Sequence, residues 1–415
     1  MPESEPTVKF CTPKEALIYW PNVVDVVQVK GMPKVLLFDG TLVPIGIEEK
    51  QPDGSIKVIE AGVKRFWNMP NYDDVLSWKK NEAAIATLYD KVLEALESFV
   101  DVDISEYFDL YACWIFHTYL HRLFHYSPQI ILYGDQERGK SRLAKTLVWL
   151  SYRGIMLGSA NEAPVFRLAH CAITVALDVI NAEGKANKAD SIDTFTSRFE
   201  QGLQVLRVRK ETGDIDAFEP FGPTVVATNR PLDARWQSRG LAFTPPQSSR
   251  LFDTTPTLEG LAHLQAGLIA WRWLQGQAPE IPEVGSYTRA RFRDIVKPLL
   301  QIAEMFDVRA RVDEALSHIA RRRSEERAET PEAYVIAAFE DAMDAKGFAS
   351  TVAVQMCYND RTGEALRPVA IGMRLSSMKF TKRTVLNARG FSATHQFLNA
   401  LKVKYGLTPL ADSGV

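Results

Sequence analysis

Cysteine is scarce: Cys11, Cys113, Cys171 and Cys357 are scattered over 415 residues with no C-x-x-C pair. That excludes a disulfide framework and a zinc ribbon and leaves buried free thiols as the expectation. No run of 18 apolar residues occurs, and the opening MPESEPTVKF lacks the charged-then-apolar layout of a signal peptide, so no membrane span is indicated and a cytoplasmic protein is expected. Charge of one sign is lacking too. The net charge is −2, so the chain is no polycation, and any nucleic-acid contact must come from local basic patches or from several subunits lining one channel. The piece from 331 onward has 10 Lys and Arg against 7 Asp and Glu, a mild basic excess. An apolar fraction of 46% is ample for ordinary cores, and the length suits two to four domains.

Against these absences stands ILYGDQERGKSRLAKTL, residues 131–147. Gly134, four residues, then Gly139, Lys140 and Ser141 match G-x-x-x-x-G-K-[ST] throughout. The glycines let the backbone curl so that its N–H groups point at phosphate, and the following helix adds its positive end. Lys140 is expected to neutralise the β and γ phosphates of ATP and Ser141 to offer its hydroxyl oxygen to Mg²⁺. Asp135, Gln136, Glu137, Arg138 and Arg142 fill out the candidate cradle. The apolar PQIILYG before it reads as a buried strand, and KSRLAKTLVWLSYRG as a helix closing at Gly154.

Further on, LAHCAITVALDVIN is an apolar strand ending in Asp178, where an acid can hold Mg²⁺. FGPTVVATNRP is another, ending in Thr228 and Asn229 at the edge of an α/β sheet where ligands bind. Between them LQVLRVRKETGDIDAFEPF alternates on both sides of ETGD, a hairpin signal with Arg207, Arg209 and Lys210 near its tip. Earlier, residues 33–62 read as a hairpin divided by PDG, and 82–126 as helical. In that helical stretch Cys113, His117, His121 and His125 are each four apart. Twelve residues rise about 18 Å and each step drifts about 40°, so one ion could reach only two of them. No H-E-x-x-H accompanies them, and a structural role is expected.

Glycine loop, Asp strand, basic hairpin and VVATN strand, in that order, resemble the AAA+ ATPases that carry a hairpin before a polar sensor strand. Superfamily-three viral helicases and minichromosome-maintenance helicases belong to that group. RFEQGLQVLRV, FGPTVVATNRP and QSRGLAF are similar to phrases in the helicase-like modules of phage and plasmid primase-helicases. The resemblance covers residues 105–300, weakly the C-terminal piece, and not the first 80 or so. It implies Asp178 as the second Mg²⁺ residue, Asn229 as the sensor that positions water, and Arg239 as an arginine finger acting on a neighbouring subunit's nucleotide. It implies Arg289 or Arg291 as a second sensor, and a ring, by analogy a hexamer, whose hairpins face DNA. One departure stands out: Asp178 is followed by Val179, Ile180 and Asn181 where the group has an acid, and neither Glu183 nor Glu162 lies at the usual position.

The C-terminal piece reads as the helix AYVIAAFEDAMDAKG, the helix RPVAIGMRLSSMKF, a wing-like strand pair in TKRTVLNARGF and a last helix in THQFLNALKVKYGL. This order is similar to a winged-helix domain, with Arg374, Lys379, Lys382 and Arg383 as candidate DNA contacts, though such domains also bind proteins. The expected fold is thus α/β: a P-loop AAA+ core with helical lid, a small N-terminal α+β module and a C-terminal winged-helix-like domain. The expected divisions are 1–81, a helical lead-in over 82–126, the core over 127–275, lid and linker over 276–330, and 331–415. The expected function is an ATP-driven, ring-forming DNA helicase or translocase in replication of a mobile genetic element. No primase-type acidic cluster is visible, so a separate primase, or a polymerase, is a candidate partner. The alternative is an ATP-gated initiator or helicase loader with little hydrolysis, which the residues after Asp178 favour. A protein remodeller would carry an aromatic pore loop in place of LRVRKETGD.

Overall fold

The computed structural model describes residues 11–17, 21–50, 56–60, 62, 66–158, 171–179, 196–208, 212–229, 232, 234–248, 250–284 and 290–409, with backbone alone at 17, 48–50, 56–60, 178–179, 234–235 and 290–291. They fall into two units, Met1–Ala315 and Leu316–Val415. No helix among the described residues is long and apolar enough to cross a membrane.

The first unit opens with helix α1 (Pro13–Leu17) and an antiparallel meander, β1 (Val23–Val29), β2 (Met32–Leu37) and β3 (Leu42–Pro44). Lys30 and Gly31, both at positive φ, make the two-residue turn between β1 and β2. The hairpin expected around PDG is β4 (Gly46–Lys50) paired with β5 (Ile56–Glu60). Helices α2 (Tyr72–Lys80), α3 (Glu82–Ala86) and α4 (Leu88–Phe99) follow, the first two capped by Asn71 and Asn81 side chains. Helix α5 (Glu106–Leu120) is apolar all round, and every residue from Tyr107 to Leu120 is buried, as such a helix requires. It ends sooner than the helical pattern through 126 suggests. A 3-10 turn covers His121–Leu123 and the chain is extended at Phe124.

The parallel sheet is built from β6 (Gln129–Tyr133), β7 (Gly154–Leu157), β8 (Thr174–Val179), β11 (Thr224–Thr228) and β12 (Gly240–Phe243), in the order β12-β6-β11-β8-β7. All four neighbouring pairs are parallel. A strand with parallel neighbours on both sides needs two apolar faces, and all five residues of TVVAT are buried. Between β8 and β11 lies the expected hairpin, β9 (Val205–Val208) with β10 (Ile215–Phe218). Helix α6 (Lys140–Leu150) joins β6 to β7; helices α7 (Ala234–Gln237), α8 (Leu258–Gln275), α9 (Ala290–Met305) and α10 (Arg309–Ala328) follow later in the chain. Gly154, expected to close α6, instead begins β7 four residues after its end. A Cβ there would stand 1.7 Å from the Val148 carbonyl oxygen, so close backbone approach explains the glycine.

The N-terminal strands and the parallel sheet share one core, in which Val23, Val26, Val35 and Trp67 pack with Ile131, Ile155, Val175 and Val226. Polar ties reinforce it. Buried Arg153 donates to Asp25 at 2.8 Å, and the Arg272 guanidinium donates to the carbonyls of Val23, Val24 and Tyr119. Arg198 is 0% exposed and donates to Thr224 Oγ1, Pro220 O, Ile173 O and Pro223 O, clamping the entries to β8 and β11. Burial, with Arg122 nearby, pushes this guanidinium down to about 9.

The second unit contains α11 (Pro331–Ala342), β13 (Phe348–Ser350), α12 (Thr351–Thr362), α13 (Pro368–Ser377), β14 (Thr381–Val385), β15 (Ala388–Ser392) and α14 (His395–Lys404). The strands form an antiparallel sheet, β13-β15-β14, over a core including Phe339, Tyr358, Ile371, Leu375, Phe391 and Leu398. Strand β13 and helix α12 are additions to the elements read from sequence. Ser350 caps α12, and Gly363 ends it in the left-handed region.

The buried histidines make stability depend on pH. Burial holds His117 down to about 3 and, with Arg122, lowers His121 well below the usual range. Both protonate near pH 6.5 once unfolded, so the unfolded chain binds more protons below that pH. Their contribution is therefore full above about pH 6.5 and falls on acidification, by up to about 1.4 kcal/mol per unit for each histidine. Urea midpoints measured from pH 7.5 to 5 are expected to drop, and His117→Gln is expected to flatten that slope.

Candidate nucleotide site

Register fixes which residues meet. Tyr133 of β6 pairs with Thr228 of β11, and Thr228 with Val179 of β8. The glycine loop, Asn229 and the end of the Asp178 strand therefore leave the sheet at one edge, side by side. Asp178 itself pairs with Ala227 through the backbone, and its side chain lies outside the described residues.

The loop is tightly wound. Gly134 has φ +138°, and a Cβ there would meet Arg138 Cδ and Thr244 Cγ2 at 3.2 Å. Glu137 (φ 66°) and Gly139 (φ 74°) are left-handed, which costs energy at the glutamate and none at the glycine. Gly139 is the N-cap of α6, so Lys140 begins the helix and Ser141 lies in its first turn. Lys140 is 7% exposed, and its Nζ donates to Gly134 O at 2.9 Å and to Asp135 O. A buried ammonium aimed into its own loop is a preset counter-charge for phosphate. Arg138 pairs with Asp135 at 3.8 Å. A cavity of about 320 Å³ is lined by Gln136 through Arg142 together with Asn229.

A second cavity, of about 200 Å³, adjoins the same loop through Glu137, Arg138, Gly139 and Arg142. Its far walls are Phe99–Asp101 and the segment after β12, with Pro245, Pro246, Ser248, Arg250 and Phe252. That segment is latched in place. Ser248 Oγ donates to Asp101 Oδ2 at 2.9 Å, Arg250 donates to Glu97 O, and Arg142 donates to Thr254 O. Arg142 and Arg250 each stand 5.0 Å from the Phe252 ring. Sequence reasoning missed this cavity, whose walls come from three distant segments.

Other sequence-derived residues are spread over the fold. Arg239 precedes β12, and its carbonyl accepts from Gln129 N at the start of β6. Four residues of strand, about 13 Å, separate that level from Tyr133, so Arg239 stands at the opposite edge of the sheet from its own loop. Arg289 and the side chain of Arg291 lie outside the described residues, as do Arg209, Lys210, Glu162 and Glu183. Arg207 is exposed and paired in register with Asp216; the hairpin's other face carries exposed Leu206, Val208, Ala217 and Ile215. Arg374 pairs with Glu332 at 3.5 Å, whereas Lys379, Lys382 and Arg383 are exposed. Of the four-spaced run, His117 Nε2 shares a hydrogen bond with Ser127 Oγ, His121 Nδ1 donates to Thr118 O, and His125 faces Glu200 at 3.4 Å. Among the described residues no three His, Cys, Asp or Glu side chains could jointly hold a metal ion.

No protein-family model matches this chain, and no curated protein matches it. Solved structures that share features with it are distant. The A form apo structure of the NrS-1 C-terminal region is 12% identical, with 95% of this chain and 86% of that one covered at a TM-score of 0.40. The active helicase Cch of SCCmec type IV is 12% identical, covering 88% and 82% at 0.34. The JCV helicase with a bound thiazolopyridine acetamide is 13% identical, covering 57% and 68% at 0.30. Likenesses this remote assign no function to this chain.

The loop geometry predicts a ligand-linked stability. Mg²⁺ and ATP at a hundred times the dissociation constant should stabilise the protein by about 2.7 kcal/mol, read as a higher Tm. Lys140→Ala, which removes the buried cation, should show no shift with nucleotide.

Proposed function

We propose that this protein is an ATP-hydrolysing DNA helicase or translocase that works as a ring. The observation that carries this reading is the meeting of three strand ends at one sheet edge, with Asn229 lining the same cavity as Gln136–Arg142. Backbone N–H groups of the loop and the start of α6 bind the β and γ phosphates, and Lys140 exchanges its two carbonyl acceptors for phosphate oxygens. Ser141 and Asp178 would hold Mg²⁺, a hydroxyl and a carboxylate being the hard oxygen donors that this ion takes. Bound there, it neutralises charge on the phosphoryl oxygens. Asn229, at the end of β11, orients the attacking water. The adjoining cavity, with Phe252 and two prolines in its wall, holds the base.

Arg239 acts on the neighbouring subunit's nucleotide. Its place at the edge away from its own loop supports action in trans, which makes hydrolysis conditional on assembly. A hexamer follows from the resemblance, with Arg289 or Arg291 completing the site as the second sensor. The hairpin carrying Arg207, Arg209 and Lys210 lines the pore and meets single-stranded DNA phosphates several times over. Replication of a mobile element, beside a primase or polymerase, is the setting that the motif order implies. A second reading is favoured by Val179, Ile180 and Asn181, which put no acid directly after Asp178. On it the protein is an initiator or loader that binds ATP as a switch.

ATP turnover is expected to rise several-fold with single-stranded DNA and to vanish in Lys140→Ala. Arg239→Ala should be inactive alone yet regain turnover when mixed with Lys140→Ala, since each variant supplies what the other lacks at a shared interface. Turnover at the level of the Lys140→Ala blank, with or without DNA, would favour the switch reading. Full activity in Arg239→Ala would remove that residue from the site.

A further inference from the structure

The second unit carries a groove of about 1050 Å³ between α12, α13 and the β14–β15 hairpin. Its apolar wall is exposed to solvent: Val352 is 53%, Val369 74% and Met373 69% exposed. Met356, one turn on from Val352, continues the stripe along α12. The hairpin side supplies Lys382, Arg383 and Arg389, all exposed and with no hydrogen bond or ion pair from their side chains among the described residues. No aspartate or glutamate lines the groove.

The hairpin tip adds a further apolar group. Leu386 and Asn387 both sit at positive φ, 47° and 66°, and Leu386 is 98% exposed. Asparagine enters that region readily, whereas leucine does so at a cost and here buries nothing within its own unit.

Reading a base edge from α13 would need an Arg, Lys, Asn or Gln pointing outward. PVAIGMRLSS offers one such residue, Arg374, and it pairs with Glu332. Ser376 donates back to Gly372 O and Ser377 to Arg374 O, so the helix's other polar side chains are also spent internally. What α13 presents is valine, glycine and methionine beside a strip of free cations. Methionine's flexible thioether suits an apolar partner face, and the cations suit carboxylates.

We infer that this groove docks an acidic amphipathic helix of a partner protein. The helix's apolar side chains, spaced i, i+4, rest on Val352, Val369 and Met373, and its Asp and Glu residues meet Lys382, Arg383 and Arg389. The inference stands apart from the nucleotide site.

The test uses the full chain and fluorescence anisotropy. The probe is a labelled helical peptide of about 16 residues, a little over four turns, with leucines on one face and glutamates on the flanks. A shuffled peptide of the same composition and a duplex oligonucleotide of similar length are run beside it. Saturable binding of the amphipathic peptide is expected, with the shuffled one inert. Met373→Glu and, separately, Val369→Gln should weaken it about tenfold or more. Both positions are exposed, so the variants should melt as the wild type does. Lys382→Ala with Arg383→Ala should weaken binding and lessen its salt dependence, Arg389 remaining. No binding of the peptide up to about 0.1 mM overturns the inference, as does binding that Met373→Glu leaves unchanged. So does duplex binding abolished by Met373→Glu, which would make the face a DNA reader, or self-association abolished by it, which would make the occupant a second copy.

Discussion

The parallel pairing of Thr224–Thr228 between two other strands is the constraint on which the rest of the first unit depends. Because β11 lies between β6 and β8, whatever follows it emerges between the glycine loop and the Asp178 strand. The register sets this without help from any side chain at the edge. The clamp lies at the other end, where buried Arg198 joins Ile173, ahead of β8, to Pro220, Pro223 and Thr224, at the entry to β11. Gly222 is part of the same device: a Cβ there would stand 2.9 Å from Arg198 Nη2 and 3.0 Å from Ile173 O.

This arrangement turns a short glycine loop into a site with walls. Lys140 is held buried by α6 above the sheet, and the segment that follows β12 returns to the loop through Thr244 and Pro245. Arg142 and Arg250 flank Phe252, so the first turn of α6 packs against the wall of the smaller cavity. The N-terminal meander contributes from beneath: Asp25 neutralises Arg153 where the chain turns from α6 into β7. Removing either partner would leave a buried charge alone, one of the costlier changes a core can suffer.

Much of this was legible because the signals are local. The strand, loop and helix at 128–150, the Asp178 and TVVAT strands and the hairpin between them all follow from period and turn chemistry. Helix α8 carried its own punctuation, Thr257 at the N-cap and Gly276 at positive φ, and α12 had Ser350 and Gly363; neither was read. Other features depend on contacts far apart in the chain. Nothing in PPQSSRLF announces that it will face Phe99 and Asp101, and nothing in VVDVVQV says that it will share a core with β8. Gly154 looked like a helix stop, but its reason is the Val148 carbonyl against which β7 starts. The histidine run, expected to be structural, ends in unlike surroundings because helix α5 stops at Leu120: buried His117 shares a hydrogen bond with Ser127 Oγ, and buried His121 donates to Thr118 O.

The most direct test of the central claim is an experimentally determined structure with Mg²⁺ and a non-hydrolysable ATP analogue. The β and γ phosphates are expected inside the Gly134–Ser141 loop, with Lys140 Nζ moved from the Gly134 and Asp135 carbonyls to phosphate oxygens and Asn229 facing the γ-phosphate. A nucleotide bound elsewhere, or a loop that keeps Lys140 on its own carbonyls at saturating analogue, would contradict it.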